Sequence, residues 1–290
     1  MKDDHLASKV LVWLPVYNEE SHLAEALRSV CSQTYRNIDI LVSLNHCTDK
    51  SKEIAQEFAD IDSRICLIEP PSFMTSLEHA QWIRSYIIQN QSHPEYIVHI
   101  GGHDIINEDY ISTLVKSLDD HSEYSLAYAE EAYAIDANGS RLFRYDAQPE
   151  TCRIGDFWSA LYMLTGLQHN IPAFGVMRYG IWASEELGDH CYAIDHFLVS
   201  KYALRGRIRA VEGVTLELRY IQTSRELYRS KHLGKSYRAV DDFFKQLSHL
   251  KNLVDESGGG HSDTNNLVDV SGGGHSDTNI LLGACSALYL

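Results

Sequence analysis

A continuous apolar run at residues 10–14, VLVWL, constrains the fold of this chain more than any other stretch. Such a run predicts a strand of a parallel sheet that is buried on both faces. The run breaks at Pro15 and a helical pattern follows, for which Asn18 is the predicted N-cap ahead of Glu19 and Glu20. This strand–turn–helix order indicates an α/β fold that binds its ligands at the carboxyl ends of the strands.

Composition and length restrict the class of protein. The chain has 290 residues, of which 44% are hydrophobic, and can therefore bury a substantial core. Its six cysteines have no paired spacing, which argues for a reducing compartment and against a disulfide framework or a zinc site. The charged residues 1–9 and the lack of a long apolar run predict a cytoplasmic protein that touches a membrane at most peripherally.

Five consecutive residues after the first strand form a motif: Pro15, Val16, Tyr17, Asn18 and Glu19. The motif resembles the opening turn of the family 2 inverting glycosyltransferases, which have the GT-A fold. The resemblance implies an α/β, Rossmann-like sheet, mixed but mostly parallel and flanked by helices. It also implies that Pro15, Val16, Tyr17 and Glu19 bind a nucleotide-sugar donor, although a tyrosine at a strand end is as often plain core.

The second predicted strand, residues 38–44, runs into Asn45, Thr48 and Asp49. This stretch is similar to a Ser-Asp-Asn-x-Ser-Thr-Asp run in one branch of the family, with Leu44 at the position of the first acid. The resemblance implies that Asn45 contacts the donor. A leucine cannot accept a hydrogen bond from a nucleobase, so the identity of the base stays open. Thr48 and Asp49 are predicted to cap the next helix.

A further predicted strand, residues 96–100, leads into Gly101, Gly102, His103 and Asp104. This stretch is similar to the metal-binding Asp-x-Asp pair of the family with its following acid, but only the last acid is present, as Asp104. The resemblance implies that Asp104 contacts the donor and, with His103, binds a metal. Mn²⁺ tolerates an imidazole ligand better than Mg²⁺ does. Action without a metal is the alternative, with basic side chains stabilising the departing diphosphate.

The basic side chains are concentrated in one segment of an acidic chain. The net charge is −15, yet residues 201–238 contain ten Lys or Arg against three Glu. The acidic total speaks against a nucleic-acid partner. The family's carboxy-terminal active-site loop falls in this segment, so we expect Arg225 and Arg229 near the donor pyrophosphate. A solvated face or a contact with anionic lipid is the alternative for either residue.

The segment at residues 193–198 resembles the family's helix that opens on the catalytic aspartate. The resemblance implies that Asp195 is the general base of a single displacement, removing the proton of an acceptor hydroxyl. A helix acid that pairs with a nearby arginine, such as Arg178 or Arg205, is the alternative for Asp195.

A glycine-rich repeat marks the end of the chain. Residues 252–265 recur as residues 266–279 with one change, Glu256 to Val270. Two copies are too few for a solenoid, and the triple glycines favour a flexible linker. We therefore predict a GT-A domain over residues 1–250 and a repeat tail with a short apolar end over residues 251–290.

Two functions remain open from the sequence. The resemblance implies transfer of a sugar, with inversion, from a nucleotide-sugar donor to a glycan or lipid-linked acceptor in polysaccharide biosynthesis. The alternative is a GT-A domain that has lost catalysis and acts as a binding or assembly partner, because Leu44, Gly101 and His103 stand in place of three acids.

Overall fold

A computed structural model describes residues 8–90, 93–145, 163, 169–184, 194–220 and 252. Arg225, Arg229 and the rest of the basic segment beyond residue 220 lie outside the described residues. The repeat tail also lies outside them, apart from Asn252. The predicted division into a domain and a tail is therefore untested.

The first half of the described chain alternates strands and helices. Its elements are β1 Val10–Val16, α1 Leu23–Cys31, β2 Ile38–Leu44, α2 Ser51–Ile61, β3 Ile65–Ile68, α3 Ser76–Asn90 and β4 Tyr96–His99. The strands predicted at residues 38–44 and 96–100 are confirmed. The short strand β3 was not predicted, because four residues are too few for a periodic pattern to stand out.

The second half is richer in strands. Its elements are β5 Ile105–Ile106, α4 Tyr110–Asp120, β6 Tyr124–Ile135, β7 Arg141–Arg144, a 3-10 helix Ile171–Phe174, β8 Val176–Arg178, α5 Tyr179–Ser184, α6 Ile194–Arg205 and β9 Arg207–Arg219. Among the described residues, no helix is both long enough and apolar enough to span a bilayer.

The described strands form one mixed sheet in the order β3-β2-β1-β4-β8-β6-β9-β5, with β7 pairing beside β6. Strand β1 is parallel to both β2 and β4, and its apolar side chains are buried, as predicted for a strand covered on both faces. The antiparallel strand β8 follows β4 in the sheet. The predicted α/β class, a mixed and mostly parallel sheet with flanking helices, is confirmed.

The turn after β1 differs from the prediction in two respects. The strand does not break at Pro15 but continues to Val16, in register with β2. Helix α1 begins only at Leu23, and Asn18 is not its N-cap; Asn18 adopts a left-handed conformation with φ 56°, which asparagine tolerates. The N-cap of α2 is Lys50 and not Thr48 or Asp49, although Asp49 Oδ1 accepts the N–H of Ser51, the first residue of the helix, at 3.0 Å.

Strand directions bring the predicted site residues to one edge of the sheet, here called the carboxyl edge. The parallel strands β1, β2 and β4 end there. Strand β8 runs against β4 and therefore begins there, while β6 and β9 run with β4 and also end there. Loops from distant parts of the sequence therefore meet at this edge.

Candidate active site

The loop after β1 is tied to the loop after β2 at the carboxyl edge. Asn18 Oδ1 accepts the backbone N–H of Thr48 at 2.8 Å. The backbone N–H of Glu19 donates to Ser51 Oγ, also at 2.8 Å. The left-handed turn at Asn18 thus fixes the position of the two residues beside it, Tyr17 and Glu19, which both belong to the predicted donor site.

An aromatic pair stands at the mouth of this site. The ring of Phe73 is half exposed and lies 5.0 Å from the ring of Tyr17, centroid to centroid. The loop carrying Phe73 is held by Asn45, whose Nδ2 donates to the Met74 carbonyl at 2.8 Å and whose Oδ1 accepts the Met74 N–H at 3.0 Å. The amide of Asn45 is therefore engaged by the main chain, while Leu44 is buried in the core.

His103 lies between two carboxylates. Its Nδ1 is 2.9 Å from Glu19 Oε1, and its Nε2 is 3.8 Å from Asp104 Oδ1. Gly102 permits this approach, because a Cβ there would lie 3.2 Å from the Pro15 carbonyl and 3.4 Å from Glu19 Cγ. The loop after β1 and the loop after β4 are thus joined through the carboxylate of Glu19, the imidazole of His103 and the carboxylate of Asp104.

Arg219, the last residue of β9, contacts both Asp104 and the backbone of His103. Its backbone N–H donates to Asp104 Oδ1 at 3.0 Å, and its guanidinium is buried. The guanidinium donates to four oxygens: the carbonyls of His103, Asp136 and Ala137 and the carboxylate of Glu25. The backbone N–H and the guanidinium of Arg219 thus hold Asp104 and the backbone of His103 together.

The charges in this cluster shift two pKa values. Burial by itself would lower the pKa of His103, but the hydrogen bond to Glu19 and the charge of Asp104 outweigh it, so its pKa is raised. Burial raises the pKa of Asp104, against the opposing effects of His103 and the Arg219 N–H. The raised pKa of His103 thus follows from its position between two carboxylates.

In their present positions, the described residues of this cluster do not form a divalent-metal site. Gly101 offers no ligand, and a Cβ there would lie 2.4 Å from Asp104 Oδ2. One oxygen of Asp104 already accepts the Arg219 N–H, and the two ring nitrogens of His103 face carboxylates. Across the described segments, no three His, Cys, Asp or Glu side chains are arranged to hold a metal ion.

Asp195, the predicted base, lies in the first turn of α6. Its Oδ2 accepts a hydrogen bond from Asn170 Nδ2 at 2.9 Å. Arg178, one of the two arginines considered as its partner, instead donates to the carbonyls of Tyr124 and Leu118, both at 2.7 Å. The carboxylate of Asp195 is thus oriented by a neutral amide, with Arg178 engaged elsewhere.

His99 links the Asp195 region to the His103 cluster. Its ring is stacked between Trp13, at 4.8 Å, and Phe174, at 5.4 Å. Burial lowers the pKa of His99 to about 4, although the charge of Asp195 opposes this shift and that of His103 adds to it. Its Nε2 is buried and has no hydrogen-bond partner among the described residues. A neutral imidazole therefore lies within electrostatic range of both groups.

The structure brings most of the predicted residues together at the carboxyl edge. Glu19, His103 and Asp104 form one cluster, while Pro15, Val16, Tyr17 and Asn45 lie in the adjoining loops. Sequence reasoning missed five contributors to this region: Phe73, His99, Asn170, Glu25 and the buried position of Arg219. Of these, only Arg219 had a signal, as part of the basic segment, and its burial was not predictable from that pattern.

The mixed sheet and its flanking helices match solved glycosyltransferases of the GT-A fold, which defines the fold of this chain. Residues 11–138 match the family model described as glycosyl transferase family 2. This match confirms the resemblance to the family 2 glycosyltransferases that was drawn from the Pro15–Glu19 motif.

The chain is similar to glycosyltransferases in sequence and in structure. It is 37% identical over 110 residues to glycosyltransferase GlyA of Streptococcus pneumoniae. Those 110 residues are 38% of this chain and 15% of GlyA. It superimposes on S. aureus TarS 1–349, solved with UDP-GlcNAc, with a TM-score of 0.57, 13% identity and coverage of 83% of this chain and 65% of that one. The chain spans about half or less of the length of the curated relatives that head the comparison.

A second solved structure shares the fold. The mannosyltransferase PcManGT from Pyrobaculum calidifontis, solved with GDP-Man and Mn²⁺, gives a TM-score of 0.55 at 14% identity and covers 99% of this chain and 82% of its own. At this identity the likeness concerns the fold alone. The ligands in the two solved structures are those of TarS and PcManGT.

Proposed function

We propose that this chain is an inverting glycosyltransferase that transfers a sugar from a nucleotide-sugar donor to a hydroxyl of a glycan or lipid-linked acceptor, in polysaccharide biosynthesis. One observation carries the proposal: the Tyr17 turn, the His103 cluster and Asp195 meet at the carboxyl edge of a family 2 domain. This edge is where open α/β sheets bind their ligands.

The donor-binding half comprises the loops after β1, β2 and β4. The nucleobase lies against the Tyr17–Phe73 pair, whose rings are 5.0 Å apart. Pro15, Val16 and Glu19 line the turn beside it, and Asn45 acts by fixing the Phe73 loop through Met74. Asp104 acts at the diphosphate end, in contact with His103.

The transfer step uses Asp195 as the general base. Asn170 engages Oδ2, and Oδ1 accepts the proton of the acceptor hydroxyl. The acceptor oxygen forms a bond to the anomeric carbon while the bond from that carbon to the diphosphate breaks. The nucleoside diphosphate leaves from the opposite face, which inverts the configuration.

The basic segment completes the proposal. Arg225 and Arg229, outside the described residues, are proposed to contact the departing diphosphate, because the chain enters this segment from the carboxyl edge at Arg219. If charge reversal at both positions leaves donor affinity unchanged, this assignment is wrong. A lipid-linked acceptor would bring the protein to the cytoplasmic face of a membrane through peripheral contact.

A panel of nucleotide sugars tests the proposed function. A donor that binds the folded state raises the melting temperature through linkage, and release of nucleoside diphosphate reports turnover. Stabilisation by at least one donor, with release that is lost in Asp195→Asn, supports the enzyme. Stabilisation without release or transfer would support a donor-binding domain that lacks catalysis. The absence of any stabilising donor would refute both.

A further inference from the structure

We propose that a line of aromatic rings beside Asp195, formed by Phe143, Tyr145 and His169, binds a saccharide acceptor of two or more sugar residues. The inference rests on the proposed function and deepens it, because it selects a glycan from the two acceptor classes given there. It is carried by the contacts between the rings, by their link to Asp195 and by the charged side chains that flank them.

The three rings are in continuous contact. The ring of Tyr145 lies 5.2 Å from that of Phe143 and 5.3 Å from that of His169, centroid to centroid, and both contacts are edge-on. Tyr145 continues the pairing of β7, since its backbone N–H donates to the Ala132 carbonyl at 2.9 Å. Residues two apart in an extended chain share a face, which is why Phe143 and Tyr145 present their rings to each other.

One end of this line is linked to the candidate base. His169 precedes Asn170, whose Nδ2 donates to Asp195 Oδ2 at 2.9 Å. Burial and the charge of Asp104 raise the pKa of Tyr145, which places its phenol within electrostatic range of the carboxylate assigned to the diphosphate end of the donor. The rings therefore begin where the proposed transfer takes place.

The other end of the line is open to solvent. Tyr145 is partly buried against the core, whereas Phe143 is 51% exposed. An acceptor sugar bound at Tyr145 and His169 would have its hydroxyl within reach of Asp195. The next sugar along the chain would then lie on Phe143, and the remainder of the glycan would extend into water.

The chemistry of this surface matches a sugar ring better than an acyl chain. A pyranose carries C–H bonds on its faces and hydroxyls around its rim, so it packs on aromatic side chains while it bonds to polar neighbours. Arg141 and Arg144 are exposed on the same strand as Phe143, and Arg141 pairs with Glu217 at 2.8 Å. An acyl chain would require a broader apolar surface than rings flanked by these charges provide.

Binding of saccharides of defined length tests the inference. The probes are glucose, maltotetraose and cellotetraose, and N-acetylglucosamine and chitotetraose, titrated calorimetrically into the full chain in the presence of UDP, GDP and dTDP in turn. We expect at least one tetrasaccharide to bind about tenfold or more tightly than its monosaccharide, because a second ring contact adds to the first.

The same titrations separate this inference from the proposed function. If no tetrasaccharide binds, or if affinity does not rise with length, the inference is overturned, and binding of any of the three nucleotides leaves the proposed function standing. Length-dependent saccharide binding without binding of any nucleotide would support the saccharide site and refute the proposed donor site.

Substitutions at Phe143 identify the ring that carries the length dependence. Phe143→Ala should bring the affinity for the best tetrasaccharide to within about threefold of that for the monosaccharide, whereas Phe143→Trp should keep the parent affinity. Leu142→Ala is the matched control, since Leu142 is the adjacent residue of β7 and is 52% exposed. Equal effects of Phe143→Ala and Leu142→Ala, or no effect of Phe143→Ala, would contradict the role of this ring.

Vesicles of phosphatidylglycerol test the other occupant that an exposed aromatic strand with two arginines could have. The parent chain is not expected to co-sediment with them through Phe143. Co-sedimentation that is lost in Phe143→Ala, without length-dependent saccharide binding, would overturn the inference in favour of a membrane contact.

Discussion

Asn170 Nδ2 donates to Asp195 Oδ2 over 2.9 Å, so the residue before the 3-10 helix orients the carboxylate at the start of α6. The same short helix ends at Phe174, which stacks on His99. This 3-10 helix and the residue before it therefore orient the candidate base, Asp195, and contact the neutral ring of His99.

Asp195→Asn is expected to reduce kcat by at least about a hundredfold, because an amide cannot accept the acceptor proton. Asn170→Ala is expected to reduce kcat by about tenfold to a hundredfold while KM for the donor changes little, because only the orientation of Asp195 is lost. Steady-state kinetics with a saturating acceptor measures both. Asn90→Ala, which removes an exposed amide at the end of α3, is the control and should match the parent chain.

Tyr17→Ala and Phe73→Ala are each expected to weaken nucleotide binding by about 1–3 kcal/mol, the usual size of a base–aromatic stacking contribution. The two losses should not add, because the rings contact each other. Calorimetric titration measures the affinities of the two variants and of the double variant. Ile61→Ala removes an exposed apolar side chain at the end of α2 and serves as control. If both single variants bind the nucleotide as tightly as the parent chain, the nucleobase does not contact Tyr17 and Phe73.

Arg219→Met is expected to lower the free energy of unfolding by about 3 kcal/mol, because it leaves three main-chain carbonyls without their shared donor. Arg141→Met is the comparison. Arg141 is exposed, pairs with Glu217 and lies 3.8 Å over the ring of Tyr133, so its loss should cost about 1 kcal/mol. Urea unfolding measures both, and equal losses would contradict the bridging role of Arg219.

His79 makes stability dependent on acid pH. Its side chain is buried, its Nε2 lies 2.6 Å from Ser43 Oγ, and burial lowers its pKa to about 4 from the usual 6.5. Because the folded-state pKa is depressed, its contribution is fully present above pH 6.5 and is lost as the pH falls toward 4. That loss is about 3 kcal/mol by pH 4.

His79→Gln tests this dependence, since glutamine can bond to Ser43 but does not titrate. Urea unfolding at several pH values should give a shallower decline between pH 6.5 and 4 than in the parent chain. Substitution of His121, whose side chain is 43% exposed, should leave the parent slope unchanged. If the His79→Gln curve parallels that of the parent chain, another group is responsible for the acid sensitivity.

The sequence was most informative where a pattern is local. The apolar run before Pro15 predicted β1 as a buried parallel strand, because β1 lies between two parallel neighbours and five of its seven residues are buried. The Pro15–Glu19 motif pointed to the family, and the match over residues 11–138 bears it out. The N-cap assignment of Asn18 failed because its amide bonds across to Thr48, a residue on another loop.

The candidate site depends on contacts that no local pattern specifies. In the sequence, Arg219 is one cation of a basic segment. The pairing of β9 with β6 brings it to Asp104, whose Oδ1 accepts its backbone N–H. The approach of His103 to Glu19 likewise requires β1 and β4 to be neighbours in the sheet. Such relationships follow from strand order, which composition and spacing leave open.

The loop that carries Phe73 is held by polar contacts with the loop after β2 and with α2, where Lys52 Nζ pairs with Glu69 at 2.6 Å. Asn45 binds Met74 through both ends of its amide, and His46 lies 2.8 Å from the Pro70 carbonyl. One side of the proposed donor site is therefore a loop whose exposed residue, Phe73, takes no part in strand pairing. Enzymes built on this scaffold could diverge in nucleotide preference by exchanging that short connection, while the interior stayed the same.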